Sequence, residues 1–239
     1  MEVFEEVLDL VGYNGSQEGP IVTELFRNRQ DAGRCLADAL AGSVVGDAVV
    51  LGLARGGMVV AAEVARALGT QLDVLIVRKV GAPTNPEYAI GAVVEGGDSY
   101  LSQRAIARLQ LSPGVVRELV GQSEAEASQL QAIYRSGVDL ASVRGRSVVL
   151  VDDGLATGAT MRAAVASMRR RGAGRVVVAC PVGSAEALAM VRQLADQVTC
   201  PMAPPNFFAV GFYYERFEPA SDSDVLLALE DARARRAGR

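Results

Sequence analysis

Histidine is absent from this chain of 239 residues. Its absence excludes Ser-His-Asp and Cys-His triads, histidine general bases and histidine-rich metal sites. Cysteine is scarce as well, with three widely spaced residues, and this odd number indicates neither a disulfide framework nor a zinc knuckle. We expect Cys35, Cys180 and Cys200 to serve as small buried hydrophobic residues.

The chain also lacks long apolar runs and an excess of positive charge. No apolar run is long enough for a membrane helix, and the start of the chain is acidic rather than signal-like, which predicts a cytoplasmic protein without a membrane partner. The formal net charge is −4 at pH 7, whereas a general nucleic-acid binder has a basic excess. Hydrophobic residues make up 50% of the chain, so a substantial folded core is expected.

The most informative stretch runs from Val148 to Thr160. Its four branched apolar residues predict a buried strand, and Asp152 and Asp153 follow at the carboxyl end, where open α/β sheets bind ligands. Small residues and threonines then lead into a helical pattern. The backbone N–H groups of residues 157–160 could face a phosphate, and the paired acids suit the hydroxyls of a ribose. This pattern predicts a site for a phosphorylated sugar.

A plainer interpretation is that the two acids and Gly154 form only a turn and that Thr160 only caps the helix. It leaves the crowding of threonine and glycine after the acids unexplained. The stretch is neither a P-loop, since no Gly-Lys-Ser or Gly-Lys-Thr occurs, nor the Gly-x-Gly-x-x-Gly dinucleotide fingerprint.

Residues 148–160 resemble the loop that binds 5-phosphoribosyl-1-pyrophosphate (PRPP) in type I phosphoribosyltransferases, and the chain is most similar to a branch of predicted transferases with an unidentified acceptor. The resemblance implies that Asp152 and Asp153 are catalytic, lie near the ribose hydroxyls and hold Mg²⁺, directly or indirectly. It also implies that the 5-phosphate is bound by Ala156, Thr157, Gly158, Ala159 and Thr160. Hypoxanthine-guanine transferases have an aspartate immediately before their Thr-Gly, where this chain has Ala156.

The implied activity is that of a Mg²⁺-dependent enzyme of nucleotide metabolism. It would displace the pyrophosphate of PRPP at the anomeric carbon with a nitrogenous small-molecule acceptor. The alternative is a PRPP-binding regulatory protein on the same fold with little or no catalysis. A phosphatase or a pyrophosphate-releasing hydrolase in the same pocket is a third hypothesis.

A second strand-loop-helix unit begins with a buried strand over residues 48–53. Arg55, Gly56 and Gly57 follow, and then a helix over 58–68 that Gly69 ends. Taken alone, this loop is as readily an ordinary tight turn as an anion site. The resemblance implies that it holds the pyrophosphate and that a cis peptide joins Ala54 to Arg55.

A third strand is predicted over residues 72–77, and Arg78 and Lys79 follow it. Two consecutive cations are often only surface charge, but the resemblance, here to adenine- and xanthine-type transferases, implies that both approach the pyrophosphate and that Lys79 takes part in catalysis. Residues 80–89 contain two prolines and a glycine, which excludes a helix. This segment resembles the mobile loop that covers bound PRPP and keeps water out.

The remaining patterns outline the fold. A hairpin around Gly96-Gly97, a long helix over 114–135, a strand over 175–179 and a helix over 184–194 are predicted. Alternating strands and helices predict an α/β fold with a doubly wound, mostly parallel sheet, the type I phosphoribosyltransferase fold. We expect a single domain over 1–239, with a core at about 25–199 and a helical insertion at about 102–137.

The carboxyl-terminal part changes in character. Six of the twelve phenylalanine and tyrosine residues lie within 207–217, and we expect a small hood over about 200–219 that closes the core, with one or two rings free to stack on an acceptor. A terminal helix capped by Ser221 is predicted to run to Ala232. Arg27 and Arg29 are interpreted as surface groups or a subunit contact, which leaves a homo-oligomer open.

Overall fold

The computed structural model describes residues 25–44, 47–135 and 137–238, so part of the predicted domain 1–239 lies outside the described residues. The helices are α1 (Arg29–Leu40), α2 (Gly56–Leu68), α3 (Gln103–Arg108), α4 (Pro113–Arg135), α5 (Ala159–Arg170), α6 (Ala185–Arg192) and α7 (Asp222–Ala237). The strands are β1 (Ala48–Leu53), β2 (Gln71–Leu75), β3 (Val77–Ala82), β4 (Asn85–Val94), β5 (Asp98–Leu101), β6 (Ser147–Val151), β7 (Arg175–Ala179) and β8 (Gln197–Thr199).

A five-stranded sheet with the order β2-β1-β6-β7-β8 forms the centre of the fold, and every neighbouring pair in it is parallel. The predicted α/β fold with a doubly wound, mostly parallel sheet is therefore confirmed. The strand β1 is buried along its whole length, because helices cover both faces of the sheet. One hydrophobic cluster lies on the side of α2, α4 and α7, and a second lies on the side of α5 and α6.

The prediction for residues 72–77 was wrong in its end point. The strand β2 stops at Leu75, and the backbone N–H of Ile76 donates instead to Oε1 of Glu95 at 3.0 Å. The next three strands, β3, β4 and β5, form a separate antiparallel sheet that begins at Val77. The predicted hairpin at Gly96-Gly97 is confirmed as the β4–β5 turn, where both glycines have a positive φ of 86° and 89°.

Residues 80–89 are not an irregular loop. They form the tip of the hairpin made by β3 and β4, whose pairing shifts register on both sides of Gly81. A Cβ at Gly81 would come within 2.5 Å of the carbonyl oxygen of Pro86, so the two strands approach most closely at this glycine. The predicted mobility of this tip stays a prediction.

An ion-pair network joins the two sheets to the long helix α4. Arg135, at the end of α4, donates to Asp73 Oδ1 at 2.7 Å and to Glu95 Oε1 at 2.8 Å. All three residues are buried, and a buried charge of this kind is tolerated only with such partners. The two helices of the insertion, α3 and α4, fall within the predicted range 102–137.

The carboxyl-terminal part packs on the amino-terminal side of the core. Tyr213 and Tyr214 are buried and share a small hydrophobic cluster with Phe26. The predicted helix cap is confirmed, since Ser221 and Asp224 form a reciprocal capping box at the start of α7. This helix ends at Ala237, beyond the predicted end.

The expectation for the cysteines was only partly right. Cys180 is buried and Cys200 is partly buried, but Cys35 is exposed on the outer face of α1. In the parts of the chain that the structure describes, no helix has the length and the apolar character that crossing a bilayer requires.

Candidate functional site

The acidic pair lies at the carboxyl end of β6, the middle strand of the parallel sheet. Oδ1 of Asp152 accepts the backbone N–H of Asp153 at 3.0 Å, and Oδ2 of Asp153 accepts Nε–H of Arg29 at 2.8 Å. Among the described residues, the other oxygen of each carboxylate accepts no hydrogen bond. Each acid therefore has one oxygen left for a hydroxyl or a water molecule.

The electrostatics of the pair favour a cation. Burial, followed by the charge of Asp153, raises the pKa of Asp152 well above its ordinary value. Burial also raises the pKa of Asp153, although the Arg29 guanidinium acts in the opposite direction. Because one guanidinium faces two carboxylates, positive charge brought to this site would be stabilised.

The loop after β1 lies directly against the acids. A Cβ at Gly56 would overlap Oδ2 of Asp153, and a Cβ at Gly57 would stand 2.7 Å from the backbone oxygen of Val151 and 3.0 Å from Cα of Asp152. The two glycines are needed for this close approach, since any side chain would collide with the loop after β6. The structure thus brings together the loop after β1, where the resemblance implies pyrophosphate binding, and the loop after β6, which the sequence predicted as a site for a phosphorylated sugar.

Replacement of Gly57 by alanine is expected to lower the free energy of unfolding by about 1–3 kcal/mol, because the new methyl group meets backbone that cannot move aside. Gly121, an exposed glycine within α4 with nothing within 4 Å of its Cβ position, is the matched control. Gly121→Ala should instead stabilise the protein by about 0.5–1 kcal/mol. Urea unfolding of both variants measures the contrast, and equal effects would contradict the close approach at Gly57.

The predicted phosphate loop forms the entry to α5. Gly158 is the N-cap residue with a φ of 71°, and no side chain caps the helix, so the alternative role of Thr160 as the cap was wrong. The first N–H groups of an α-helix have no partner within the helix and face an incoming anion. The backbone oxygen of Ala156 accepts the hydroxyl of Ser184 at 2.7 Å, which fixes the loop to the start of α6.

The predicted pyrophosphate cations do not converge in this structure. Nε of Arg55 lies 2.8 Å from Oδ1 of Asp222, and Nε of Arg78 donates to Oε2 of Glu126 at 2.9 Å. Side chains alternate along a strand, so Lys79 lies on the opposite face of β3 from Arg78. Arg78 and Lys79 were expected to follow a strand of the parallel sheet, but they lie within a strand of the antiparallel sheet, and for this reason their side chains do not meet. The expected cis peptide at Ala54–Arg55 is present.

Sequence reasoning missed Arg29. This residue was predicted to be a surface group or a subunit contact, but its side chain is only 11% exposed and reaches Asp153, 124 positions away in the sequence. No local pattern signals a contact of that separation. Arg27, by contrast, has a 68% exposed side chain and pairs with Asp31 on the surface, in line with its prediction.

Residues 27–216 match the family model described as a phosphoribosyl transferase domain. The chain belongs to the phosphoribosyltransferase family. This finding confirms the family that the sequence of the loop 148–160 indicated.

Relatives of this phosphoribosyltransferase chain include a protein of Mycobacterium tuberculosis strain H37Rv that is provisionally named a phosphoribosyl transferase. The two are 42% identical over 209 residues, which cover 87% of this chain and 47% of the relative. The adenine phosphoribosyltransferase of Mycobacterium marinum is 33% identical over 152 residues, or 64% of this chain and 63% of that protein. The chain thus spans about half the length of the first relative and less than two thirds of the second.

A crystal structure of a protein from Thermus thermophilus shares the fold of this family member. The two chains are 45% identical and superimpose with a TM-score of 0.74 over 87% of this chain and 98% of the other. The agreement extends beyond the strands of the central sheet, since the matched region is nearly the whole of that protein.

Proposed function

We propose that this chain transfers the 5-phosphoribosyl group of PRPP, in the presence of Mg²⁺, to a nitrogenous acceptor and releases pyrophosphate. The observation that carries the proposal is the close approach of Gly56 and Gly57 to the acidic pair, because it puts the proposed pyrophosphate loop next to the carboxylates proposed to bind the ribose. The free amino end of α5 lies at the same edge of the sheet. Membership of the family supports PRPP as the donor.

Each part of PRPP has its candidate residues. The backbone of residues 156–160 would bind the 5-phosphate, with the hydroxyls of Thr157 and Thr160 adding hydrogen bonds. The free carboxylate oxygens of Asp152 and Asp153 would accept the ribose hydroxyls. The remaining contacts, to the pyrophosphate, would come from Arg55, Gly56, Gly57, Arg78 and Lys79.

The two arginines would have to exchange their present partners for phosphate oxygens. Their side chains are 47% and 39% exposed, and exposed ion pairs contribute only about 0–1 kcal/mol, so this exchange has a small cost. The tip of the β3–β4 hairpin, residues 80–89, is proposed to close over the bound donor, a movement that would also bring Lys79 to the pyrophosphate.

The acidic pair also fits Mg²⁺. Hard carboxylate oxygens suit this ion, which in proteins is commonly held by one or two carboxylates together with substrate phosphates and water. Asp152 and Asp153 are therefore the proposed holders of the ion, together with oxygens of the bound PRPP. When bound, the ion would neutralise part of the charge of the pyrophosphate.

The reaction breaks the bond between the anomeric carbon and the pyrophosphate oxygen, and it forms a bond from that carbon to nitrogen of the acceptor. Positive charge develops on the ribose ring between the two events. Asp152 and Asp153 would stabilise that charge from a protein environment with little water, while the glycine loop holds the leaving group. No covalent nucleophile and no histidine are required for this chemistry.

A screen of the purified protein with PRPP, Mg²⁺ and a panel of nucleobases and small amines tests the proposal. We expect pyrophosphate release that depends on one acceptor and produces an equal amount of the ribosylated product. Binding of PRPP without release would favour the regulatory alternative, and release without an acceptor would favour a hydrolase. If the folded protein neither bound PRPP nor released pyrophosphate, the proposal would be contradicted.

A further inference from the structure

Arg29 lies between the acidic pair and the hood (residues 200–219). Its Nε–H donates to Oδ2 of Asp153 at 2.8 Å, and its Nη1–H donates to the backbone oxygen of Glu218 at 2.6 Å. The guanidinium carbon stands 3.8 Å from the centre of the Phe217 ring. One side chain thus connects the first turn of α1, the loop after β6 and the hood.

The hood also holds the backbone of the same aspartate. The hydroxyl of Tyr214 donates to the backbone oxygen of Asp153 at 2.6 Å, and the Tyr214 ring packs on Phe217 with centroids 4.9 Å apart. Gly56 lies against the same carboxylate oxygen, because a Cβ there would overlap Oδ2 of Asp153 and would stand 3.0 Å from Nε of Arg29. The guanidinium and the glycine therefore both lie at Oδ2 of Asp153, and Oδ1 is the oxygen that neither of them contacts.

The two acids differ in this respect. Asp152 accepts only the N–H of its own neighbour, whereas Asp153 has one carboxylate oxygen fixed by Arg29 and the other without a partner among the described residues. A charge-assisted hydrogen bond is directional as well as strong, so it selects the rotamer that presents the second oxygen to a ligand. An arginine that stayed on the surface could offset the charge of Asp153, but without this hydrogen bond it could not fix the rotamer of the Asp153 carboxylate.

We propose that Arg29 is a positioning residue that orients the Asp153 carboxylate toward the ribose hydroxyls, and that the hood holds Arg29 in place through Phe217 and Glu218. This inference rests on the proposed function, since it concerns the ribose part of the same site. It assigns a role in donor binding to a hood segment that otherwise only closes the core. Order in the hood and affinity for the ribose are thereby coupled.

Calorimetric titrations with three ligands test this role: PRPP with Mg²⁺, ribose 5-phosphate, and pyrophosphate without Mg²⁺. In Arg29→Ala we expect the affinities for PRPP and for ribose 5-phosphate to fall about 10- to 100-fold, the range for loss of a hydrogen bond to a charged group. The affinity for pyrophosphate should stay within about twofold of the original, because this ligand brings neither a ribose nor a metal ion to the acidic pair. Arg29→Lys should recover part of the loss, whereas Arg29→Gln, which keeps a donor without the charge, should recover less.

Two further variants complete the test. Arg27→Ala removes a neighbouring arginine that touches only the surface and should leave all three affinities unchanged. Phe217→Leu keeps an apolar side chain but removes the ring under the guanidinium. It should lower the affinities for PRPP and ribose 5-phosphate about two- to fivefold and leave the affinity for pyrophosphate unchanged.

The outcomes separate the inference from the function on which it rests. Unchanged ribose 5-phosphate affinity in Arg29→Ala would overturn the positioning role. An equal loss of all three ligands together with a lower melting temperature would overturn it too, because that pattern indicates only a structural contact. Failure of the unmodified protein to bind PRPP would instead contradict the proposed function, and the positioning role with it.

Discussion

Replacement of Asp152 by asparagine is expected to weaken PRPP binding by about 10- to 100-fold and to raise the melting temperature of the free protein at neutral pH. The amide keeps the oxygen that accepts the Asp153 N–H, so the local hydrogen bond survives. The substitution removes a buried negative charge that lies beside a second carboxylate. This charge destabilises the folded protein, but it contributes to the binding of PRPP. Transfer itself should slow by about 10²–10³, the usual loss when a preorganised electrostatic partner is removed.

The stability difference has a defined pH dependence. Because the pKa of Asp152 is higher in the folded than in the unfolded protein, its ionisation costs stability as the pH rises through the folded pKa. At low pH, where the acid is protonated in both states, the variant and the original protein should melt alike. Near neutral pH the variant should have the higher melting temperature. In a chain of this size, each kcal/mol gained in the free energy of unfolding raises the melting temperature by about 2–4 °C.

Scanning calorimetry at acidic and neutral pH measures this difference. Asp139→Asn is the matched control, since Asp139 is exposed and lies outside the site. If Asp152→Asn lowered the melting temperature at neutral pH, or bound PRPP as tightly as the original protein, the assigned role of Asp152 would be wrong.

Hypoxanthine and guanine are expected to be poor acceptors. The position before Thr157 is occupied by Ala156, whose methyl group can neither accept nor share the proton at purine N7, and no histidine exists to replace it. General-base assistance is typically worth about 10²–10⁴ in rate, so a deficit of that size is expected. Ala156 is exposed and its backbone is held by Ser184, so an aspartate can be introduced there without burial of the new charge.

Steady-state assays with PRPP, Mg²⁺ and each purine measure this effect. Ala156→Asp should accelerate the turnover of hypoxanthine and guanine, whereas Ala156→Asn, which has the same shape without the base, should not. Efficient turnover of either purine by the unmodified protein would refute the argument.

The elements that the sequence predicted best are those with a local signal. The apolar run before Asp152 predicted β6, the helix Pro113–Arg135 begins at its predicted first-turn proline, and Gly69 ends α2 in a left-handed conformation, as expected. These features depend on residues within a few positions of one another. The periodicity of side chains and the freedom of glycine are therefore sufficient to predict them.

The features that were missed depend on distant partners. No residue near Ile76 indicates that the chain leaves the parallel sheet, because the acceptor of the Ile76 N–H is Glu95, which lies 19 positions away in the turn after β4. The position of Arg78 follows from that change of sheet. Likewise, the contact of Arg29 with Asp153 exists only because α1, the hood and β6 meet in the folded chain.

Direct binding of PRPP tests the central claim most simply. Calorimetric titration of the unmodified protein with PRPP and Mg²⁺ should show saturable binding of one molecule per chain, and Asp152→Asn together with Asp153→Asn should abolish it. No saturable binding by the folded protein, or undiminished binding by the double variant, would contradict the account.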